Sequence, residues 1–355
     1  MLNLLSSQFS EKELNFLNDL LDTVSPSGAE QETTKAVYNY LKDLCALEYD
    51  LVGNLYAYKK DLVTDGLVIT AHTDEVGFQI TKITDAGMIY VRRLGGLDRQ
   101  TMPGTMLCIA NKPREIVGVF GKSSPHVQPE LEKAKVIELD SLWVDFGFSN
   151  KTEAMTYVNI GDYMGVVPNH RFDIGMRSCI SKGLDNKISV FILAVTIARL
   201  IQKDGLPNDF TAVFTVQEEI GCRGALIACQ RLRPRKCICL DVGIATDIPS
   251  MKNQTTISDF NLHEGFGLCV TPDNDSAFVK QLASIADMEA IPYQYTTCYR
   301  PAAGTETSRI QLIGNGVSTA HMSLPNRYMH SAVEMCSLQD SASAIKFLVH
   351  FLSKA

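Results

Sequence analysis

The sequence lacks the features of a membrane, nucleic-acid-binding or secreted protein. No apolar run approaches the roughly 20 residues that a membrane-spanning helix needs, so no membrane partner is expected. With 33 Lys and Arg against 40 Asp and Glu, the net charge of −7 argues against a nucleic-acid partner. Residues 1–8 have neither the basic start nor the apolar stretch of a signal peptide. These absences predict a cytoplasmic location.

The ten cysteines do not have the spacing of a known metal or redox motif, because no C-x-x-C pair occurs. This excludes a zinc ribbon and a thioredoxin-type site. Cys237 and Cys239 alternate within an apolar run that is typical of a buried strand, and other cysteines also have apolar neighbours. We therefore interpret the cysteines as small buried side chains in a reducing compartment.

The hydrophobic pattern changes twice along the 355 residues. Residues 1–74 and 168–355 alternate helical apolar faces with short apolar strands, which predicts an α/β fold with a sheet flanked by helices. Between them, residues 75–167 contain short alternating strands separated by Gly, Pro, Asp and Asn, which is typical of a small all-β module. The sequence therefore predicts an α/β domain interrupted by an inserted β domain.

Histidines and carboxylates lie near the ends of several predicted strands or at the start of a helix. In open α/β sheets these positions converge, so the side chains can form one binding site. Imidazole together with carboxylate suits zinc, cobalt or manganese better than magnesium. The candidate metal ligands are His72, Asp185, Glu219, Asp241 and His330.

Two of these candidate ligands, His72 and Glu219, each lie near a further acidic residue that has its own role in the hypothesis. His72 and Asp74 form an H-x-D pair, in which Asp74 is a candidate to orient the imidazole through its second nitrogen. Glu218 and Glu219 are adjacent after a strand, so one can bind metal while the other takes a proton from the attacking water. Taken alone, each pair also fits a structural histidine or a solvated helix N-terminus.

The remaining candidates have structural alternatives as well. Asp185 follows a glycine and fits a turn, although it could also be shared between two ions. Asp241 ends an apolar predicted strand, so its charge needs an ion, an arginine or solvent as a partner. His330 alone would most often be structural.

Five segments together resemble the TET-type metallo-aminopeptidases, which are related to glutamyl aminopeptidases and to proteins labelled endoglucanase-like peptidases. The segments occur in the same order as in that family and extend over most of the chain. They are AHTDEVGF at 71–78, GLDNK at 183–187, VQEEIG at 216–221, LDVG at 240–243 and RYMHS at 327–331.

The resemblance implies a di-metal aminopeptidase that acts on peptides, with two divalent ions, zinc or cobalt, in each subunit. It implies that His72 and Asp241 bind one ion, Glu219 and His330 bind the other, and Asp185 bridges them. It further implies Glu218 as general base and Asp74 as the support of His72. A catalytic α/β domain (1–74 and 168–355), a β-barrel-like insertion (75–167) for subunit contacts, and a homo-oligomer, commonly a hollow dodecamer, are also implied.

One segment departs from the family pattern. Where the family has Gly-Gly-Thr-Asp-Ala, this chain has AGTET at 303–307, so Ala303 replaces a glycine and Glu306 is one methylene longer than aspartate. The resemblance is then greatest to sugar-operon relatives of the family. The departure leaves the metal ligands in place, but the substrate preference does not follow from the resemblance.

Two rival functions remain at this point. The first rival has the same site but acts on another class of substrate. It would be a metal-dependent deacylase, or a glycosidase as the older family label suggests. A glycosidase normally uses two carboxylates without metal, which would leave the histidines without a role. A non-enzymatic scaffold is the second rival.

Overall fold

The computed structural model describes residues 8–130, 138, 142–172, 177–299, 302 and 304–354. Within these residues, no helix is both long and apolar enough to cross a bilayer. The α-helices are α1 (Glu11–Leu21), α2 (Gln31–Leu41), α3 (Lys151–Tyr157), α4 (Leu184–Lys203), α5 (Arg223–Leu232), α6 (Ser276–Met288), α7 (Thr307–Ile310) and α8 (Leu338–Ser353).

The described strands form a large mixed sheet and a closed barrel. The eleven sheet strands are β1 (Ala46–Tyr49), β2 (Leu55–Tyr58), β3 (Leu67–His72), β10 (Arg171–Phe172), β11 (Ser178–Ser181), β12 (Phe210–Thr215), β13 (Lys236–Ile244), β14 (Phe266–Cys269), β15 (Tyr293–Thr296), β16 (Ser318–Arg327) and β17 (Glu334–Ser337). The barrel strands are β4 (Gly77–Ile83), β5 (Ile89–Leu94), β6 (Met106–Ile109), β7 (Val117–Gly121), β8 (Trp143–Asp145) and β9 (Tyr163–Val166).

The centre of the sheet is parallel, in the order β12, β3, β13 and β16. β3, β12 and β13 are mostly apolar and almost fully buried, as expected for parallel strands covered on both faces, whereas β16 is buried but mixes polar and apolar residues. One face packs against α1, α2, α4, α6 and α8, and the other against α5 and α7. The prediction of an α/β sheet flanked by helices is confirmed.

The long helix α4 lies between the sheet and the outer helices, and for that reason it is apolar on nearly all sides. It contacts β3 and β13 on one side and α1 and α8 on the other. Its first turn is irregular, because Asp185 and Asn186 have non-helical backbone angles. The irregular turn places Asp185 at the edge of the sheet instead of inside a regular helix.

The barrel closes in the order β4, β5, β8, β7, β6 and β9, with antiparallel pairing throughout. Side chains that alternate toward its interior form a separate core, in which the rings of Phe78 and Phe120 meet edge to face at 4.9 Å. The predicted small barrel-like unit is therefore present, and its strands extend from Gly77 to Val166.

Several element boundaries differ from the sequence-based prediction. Asp241 lies inside β13, which continues to Ile244, because β13 pairs with β16 along its full length. β16 likewise continues to Arg327 and not only to Met322, so His330 follows it by three residues. Pairing between these two strands, which are distant in sequence, stabilises both extensions. The local hydrophobicity of the sequence does not predict it.

A buried ion cluster of Glu75, Lys182 and Lys187 joins the N-terminal segment to the start of α4. The Nζ atoms of Lys182 and Lys187 lie 2.6 and 3.1 Å from Glu75 Oε1. Both also donate to the carbonyl oxygen of Thr23. Burial opposes ionisation, but the lysines hold the pKa of Glu75 below its usual value. We call these three residues the Glu75 ion cluster.

Candidate metal centre

Five of the sequence-predicted residues meet at the carboxyl edge of the parallel strands. His72 is the last residue of β3, and Glu219 follows β12. Asp241 lies near the end of β13, Asp185 lies in the first turn of α4, and His330 follows β16. Parallel strands present their carboxyl ends on the same side of a sheet, which is why residues so distant in sequence become neighbours.

His72, Asp185 and Asp241 form a first buried triad. His72 Nε2 lies 3.2 Å from Asp185 Oδ1 and 3.4 Å from Asp241 Oδ1. All three residues are less than a tenth exposed. Three ligand atoms, one from each residue, lie within 4.8 Å of one another.

Asp185, Glu219 and His330 form a second triad. His330 Nε2 lies 3.1 Å from Asp185 Oδ2 and 3.1 Å from Glu219 Oε1. The ligand atoms of this triad also lie within 4.8 Å of one another. Asp185 thus belongs to both triads and presents one oxygen to each, which is the arrangement of a carboxylate shared between two ions.

The donor atoms fit divalent metal ions in both type and spacing. Two donors bound about 2.1 Å from a tetrahedral ion stand about 3.4 Å apart, close to the distances within each triad. Asp185 Oδ1 is buried and, among the described residues, has no suitably oriented hydrogen-bond donor. An orphaned buried carboxylate oxygen is costly, and a cation would satisfy it.

The electrostatics of the site also favour cations. Burial opposes ionisation of Asp185, yet the imidazoles of His330 and His72 hold its pKa below the usual range. Burial raises the pKa of Glu219 to about 7 and that of Glu218 well above its ordinary value, with neighbouring carboxylates adding to both shifts. The buried carboxylates therefore repel one another, and divalent ions would relieve that repulsion.

Asp74 is placed beside both His72 and the Glu218–Glu219 pair. The Nδ1 atom of His72 lies 3.1 Å from the main-chain carbonyl oxygen of Asp74 and 3.5 Å from its Oδ1. The carboxylate accepts hydrogen bonds from the backbone N–H groups of Glu218 at 2.9 Å and Glu219 at 3.1 Å. It also accepts one from the Ser27 hydroxyl at 2.6 Å. Its main contacts thus fix the turn that carries the two glutamates.

Glu218 lies beside the two triads and has a different environment from Glu219. Its Oε1 atom lies 3.1 Å from the Sγ of Cys222, which donates to it, and the residue is 9% exposed. It is not a member of either ligand triad. A buried carboxylate beside the triads but outside them is available for proton transfer.

The sequence analysis did not identify three groups that hold the candidate ligands. The Glu334 carboxylate accepts hydrogen bonds from the backbone N–H groups of Asp185 and His330, each at 2.8 Å. The carbonyl oxygen of Gly96, in the loop after β5, lies 2.9 Å from His330 Nδ1. The Thr305 hydroxyl donates to Asp241 Oδ2. A lone glutamate, a main-chain carbonyl and a threonine give no signal in a single sequence.

Glu306, in the segment that departs from the family pattern, contacts the strand that pairs with His72. Glu306 is buried, and its Oε1 accepts a hydrogen bond from the Thr215 hydroxyl at 2.5 Å. Burial raises the pKa of Glu306 to about 7. Ala303 lies outside the described residues. Glu306 is therefore bonded to β12 and is not a member of either triad.

The fold and site define an α/β protein with a candidate metal centre at the carboxyl edge of its sheet. The sequence pattern of the M42 glutamyl aminopeptidases matches residues 53–347. The lysyl aminopeptidase of Pyrococcus furiosus is 30% identical over 321 residues, which cover 87% of this chain and 88% of that protein. The chain therefore belongs to the M42 glutamyl aminopeptidase family, and it is a hydrolase of the aminopeptidase class.

Solved structures are similar over nearly the whole chain. A TET aminopeptidase from Thaumarchaeota archaeon SCGC AB-539-E09 has a TM-score of 0.89 and 25% identity, with 97% of each chain covered. The TET1 peptidase of Pyrococcus horikoshii, described as assembling into a tetrahedron or a large octahedral shell, has a TM-score of 0.84 and 25% identity. That comparison covers 96% of this chain and 99% of the other. The resemblance to the TET-type family is confirmed.

Proposed function

We propose that this protein is a di-metal aminopeptidase that removes N-terminal residues from peptides. The observation that carries the proposal is the sharing of Asp185 between two triads, each of which contains one histidine and one further carboxylate. His72 and Asp241 would hold one ion, and Glu219 and His330 the other. Bound there, zinc or cobalt ions would polarise the scissile carbonyl and acidify a water molecule.

Glu218 is the proposed general base. Its carboxylate lies on the residue next to a ligand, is buried, and is not occupied by either triad. It would accept a proton from the attacking water and pass it to the nitrogen of the leaving peptide. Asp74 holds the backbone N–H groups of Glu218 and Glu219 and thereby keeps base and ligand in a fixed relation.

Paired variants of the two adjacent glutamates test these roles. Glu218→Gln should retain its metal content and lose activity by about 10²–10⁴-fold, the range for removal of a general base. Glu219→Gln should lose both metal and activity. Glu115→Gln, at an exposed position of the inserted segment, is the matched control and should behave as wild type. Full activity of metal-loaded Glu218→Gln would exclude it as the base.

Substrate class is tested with a set of aminoacyl-anilides. Glu-, Leu-, Lys- and Ala-anilides offered to the zinc- and cobalt-loaded enzyme should identify the preferred N-terminal residue. A deacylase would instead prefer substrates in which the amine is blocked by an acyl group. A glycosidase that uses only two carboxylates should be insensitive to EDTA, whereas the proposed enzyme should lose activity with EDTA and recover it with added metal.

We further propose that residues 1–74 and 168–355 form the catalytic domain, and that residues 75–167 form an inserted domain that makes subunit contacts. The barrel has its own core, separate from that of the sheet, which supports this division. Assembly into a homo-oligomer is supported by the similar TET1 peptidase, whose assembly is a tetrahedron or an octahedral shell. Light scattering of the purified protein tests whether a dodecamer forms.

A further inference from the structure

Two cysteine sulfur atoms lie next to each other at the ends of the neighbouring strands β14 and β15. Cys269 is the last residue of β14, and Cys298 follows the neighbouring parallel strand β15 by two residues. Their Sγ atoms are 3.4 Å apart. A disulfide has an S–S distance of about 2.05 Å, so the atoms need to approach by only about 1.4 Å.

Two further features distinguish this pair. A cavity of about 250 Å³, lined in part by Cys269, Asn274 and Lys280, lies beside the pair. His321 is buried, and neither of its ring nitrogens has a hydrogen-bond partner among the described residues. It lies opposite Cys269, because Leu268 pairs with Met322 in the antiparallel ladder of β14 and β16.

The chemistry around Cys269 favours its thiolate. The contact with the Cys298 sulfur and the nearby imidazole of His321 hold the pKa of Cys269 below the ordinary value of a thiol. The thiolate is the nucleophilic form of cysteine. Cys298 is half-buried, whereas Cys269 is fully buried apart from the cavity.

A second cysteine pair in the same protein provides a contrast. Cys179 and Cys336 face each other across β11 and β17 and are fully buried. Burial raises the pKa of both thiols, so they stay protonated. Cys179 and Cys336 are therefore neighbours in the sheet, but neither of their thiols has a lowered pKa.

We propose that Cys269 and Cys298 form an oxidisable dithiol site that is converted reversibly to a disulfide by peroxide. The Cys269 sulfur attacks one peroxide oxygen, the O–O bond breaks, and the released hydroxide takes up a proton to leave as water. The resulting sulfenic acid is attacked by the Cys298 sulfur. The S–S bond forms as the S–O bond breaks, and the hydroxyl group leaves with the Cys298 proton as a second water. Peroxide is reduced and the two thiols are oxidised.

The disulfide would also affect the metal centre, a consequence that rests on the proposed function. Cys298 precedes Thr305 by seven residues, and the Thr305 hydroxyl donates to the candidate ligand Asp241. Closing the disulfide would move Cys298, which lies close in sequence to Thr305. We therefore expect oxidation to lower aminopeptidase turnover and reduction to restore it.

The test uses reduced, metal-loaded full-length protein, treated with hydrogen peroxide and then denatured and alkylated for peptide mapping. The expected result is a Cys269–Cys298 cross-linked peptide that dithiothreitol removes. It should form in wild type and in the control variant Cys179→Ser, but not in Cys298→Ser, where Cys269 should accumulate as sulfinic acid. If Cys269 and Cys298 stay alkylatable, or cross-link to other cysteines, the proposed site is wrong.

Turnover of an aminoacyl-anilide, measured on the same samples, tests the link to the metal centre. Wild type should lose turnover with peroxide and regain it with dithiothreitol, and Cys298→Ser should not show this reversible loss. If the cross-link forms and turnover is unchanged, the link through Thr305 is refuted while the dithiol site stands. If the reduced enzyme has no turnover on any anilide, the proposed function fails instead, and the mapping result is unaffected.

Discussion

Replacing Glu334 by glutamine should weaken the metal centre without removing any ligand. The carboxylate is buried and uses its two oxygens separately: Oε1 accepts the N–H of His330 and Oε2 accepts that of Asp185, both at 2.8 Å. Both donors belong to candidate ligands. His330 moreover has a φ of 62°, a left-handed conformation that is uncommon for a residue other than glycine, so its backbone needs this support.

The size of the effect follows from the number of acceptors that remain. Glutamine keeps one carbonyl oxygen and replaces the other by an NH₂ group, which cannot accept a hydrogen bond. One of the two N–H groups is then buried without a partner, at a cost of about 1–3 kcal/mol in the free energy of unfolding. Since the ligands lose their fixed orientation, metal affinity should fall about 10–100-fold, the usual range for removal of a group that orients a ligand.

Two measurements check this expectation. Urea unfolding of EDTA-stripped protein gives the change in the free energy of unfolding, and competition with a chromophoric chelator gives the zinc affinity. Glu334→Asp keeps both acceptors on a shorter side chain and should lie between wild type and Glu334→Gln. Exposed Glu115→Gln should match wild type. Unchanged zinc affinity and stability in Glu334→Gln would refute the argument.

Two further variants test the surroundings of the site. Glu75→Gln leaves the lysines of the Glu75 ion cluster without a counter-charge, so the free energy of unfolding at pH 7 should fall by about 3–5 kcal/mol. Because the folded pKa of Glu75 is lowered, its contribution is present above the unfolded value of about 4.3 and is lost as the pH falls, so urea unfolding of wild type and variant should converge in acid. Gly104→Ala places alanine at φ +84° in open space and should lose about 1–2 kcal/mol. Gly95→Ala has the same backbone strain at φ +85° and should lose more, because its added Cβ would also meet Val76 Cγ1 at 2.7 Å. Only at Gly95 would the added Cβ lie 3.0 Å from Glu219 Oε2, so only Gly95→Ala should also lose zinc affinity; equal zinc binding would count against this.

The sequence predicted which residues meet at the edge of the sheet but not the way they are held. His72 could be placed at a strand end because the apolar run before it ends there, and β3 does end at His72. Asp241 and His330 were placed less well, since β13 and β16 extend each other by pairing beyond their apolar parts. Glu334 and Gly96 gave no local signal, because a hydrogen bond to a distant backbone group leaves no pattern in the sequence.

The role of Asp74 shows the same limit. Its spacing from His72 predicted a carboxylate that orients the imidazole, and the imidazole does lie beside it. The shorter contacts of the carboxylate, however, are to the backbone of Glu218 and Glu219, which are 144 and 145 residues away in the chain. The period of two along a strand determines which side chains point to the same face of the sheet. Which groups those side chains contact depends on the neighbouring strand.

The sequence by itself determined the alternation of helices and strands, the inserted β segment and the residue types of the candidate metal centre. These properties depend on the period of the apolar residues and on the chemistry of individual side chains, and both are local. The tertiary structure alone decided that Asp185 presents one oxygen to each histidine, that Glu334 holds two ligands, and that Cys269 lies beside Cys298. Such contacts depend on strand order and register, which are set by the packing of the whole chain.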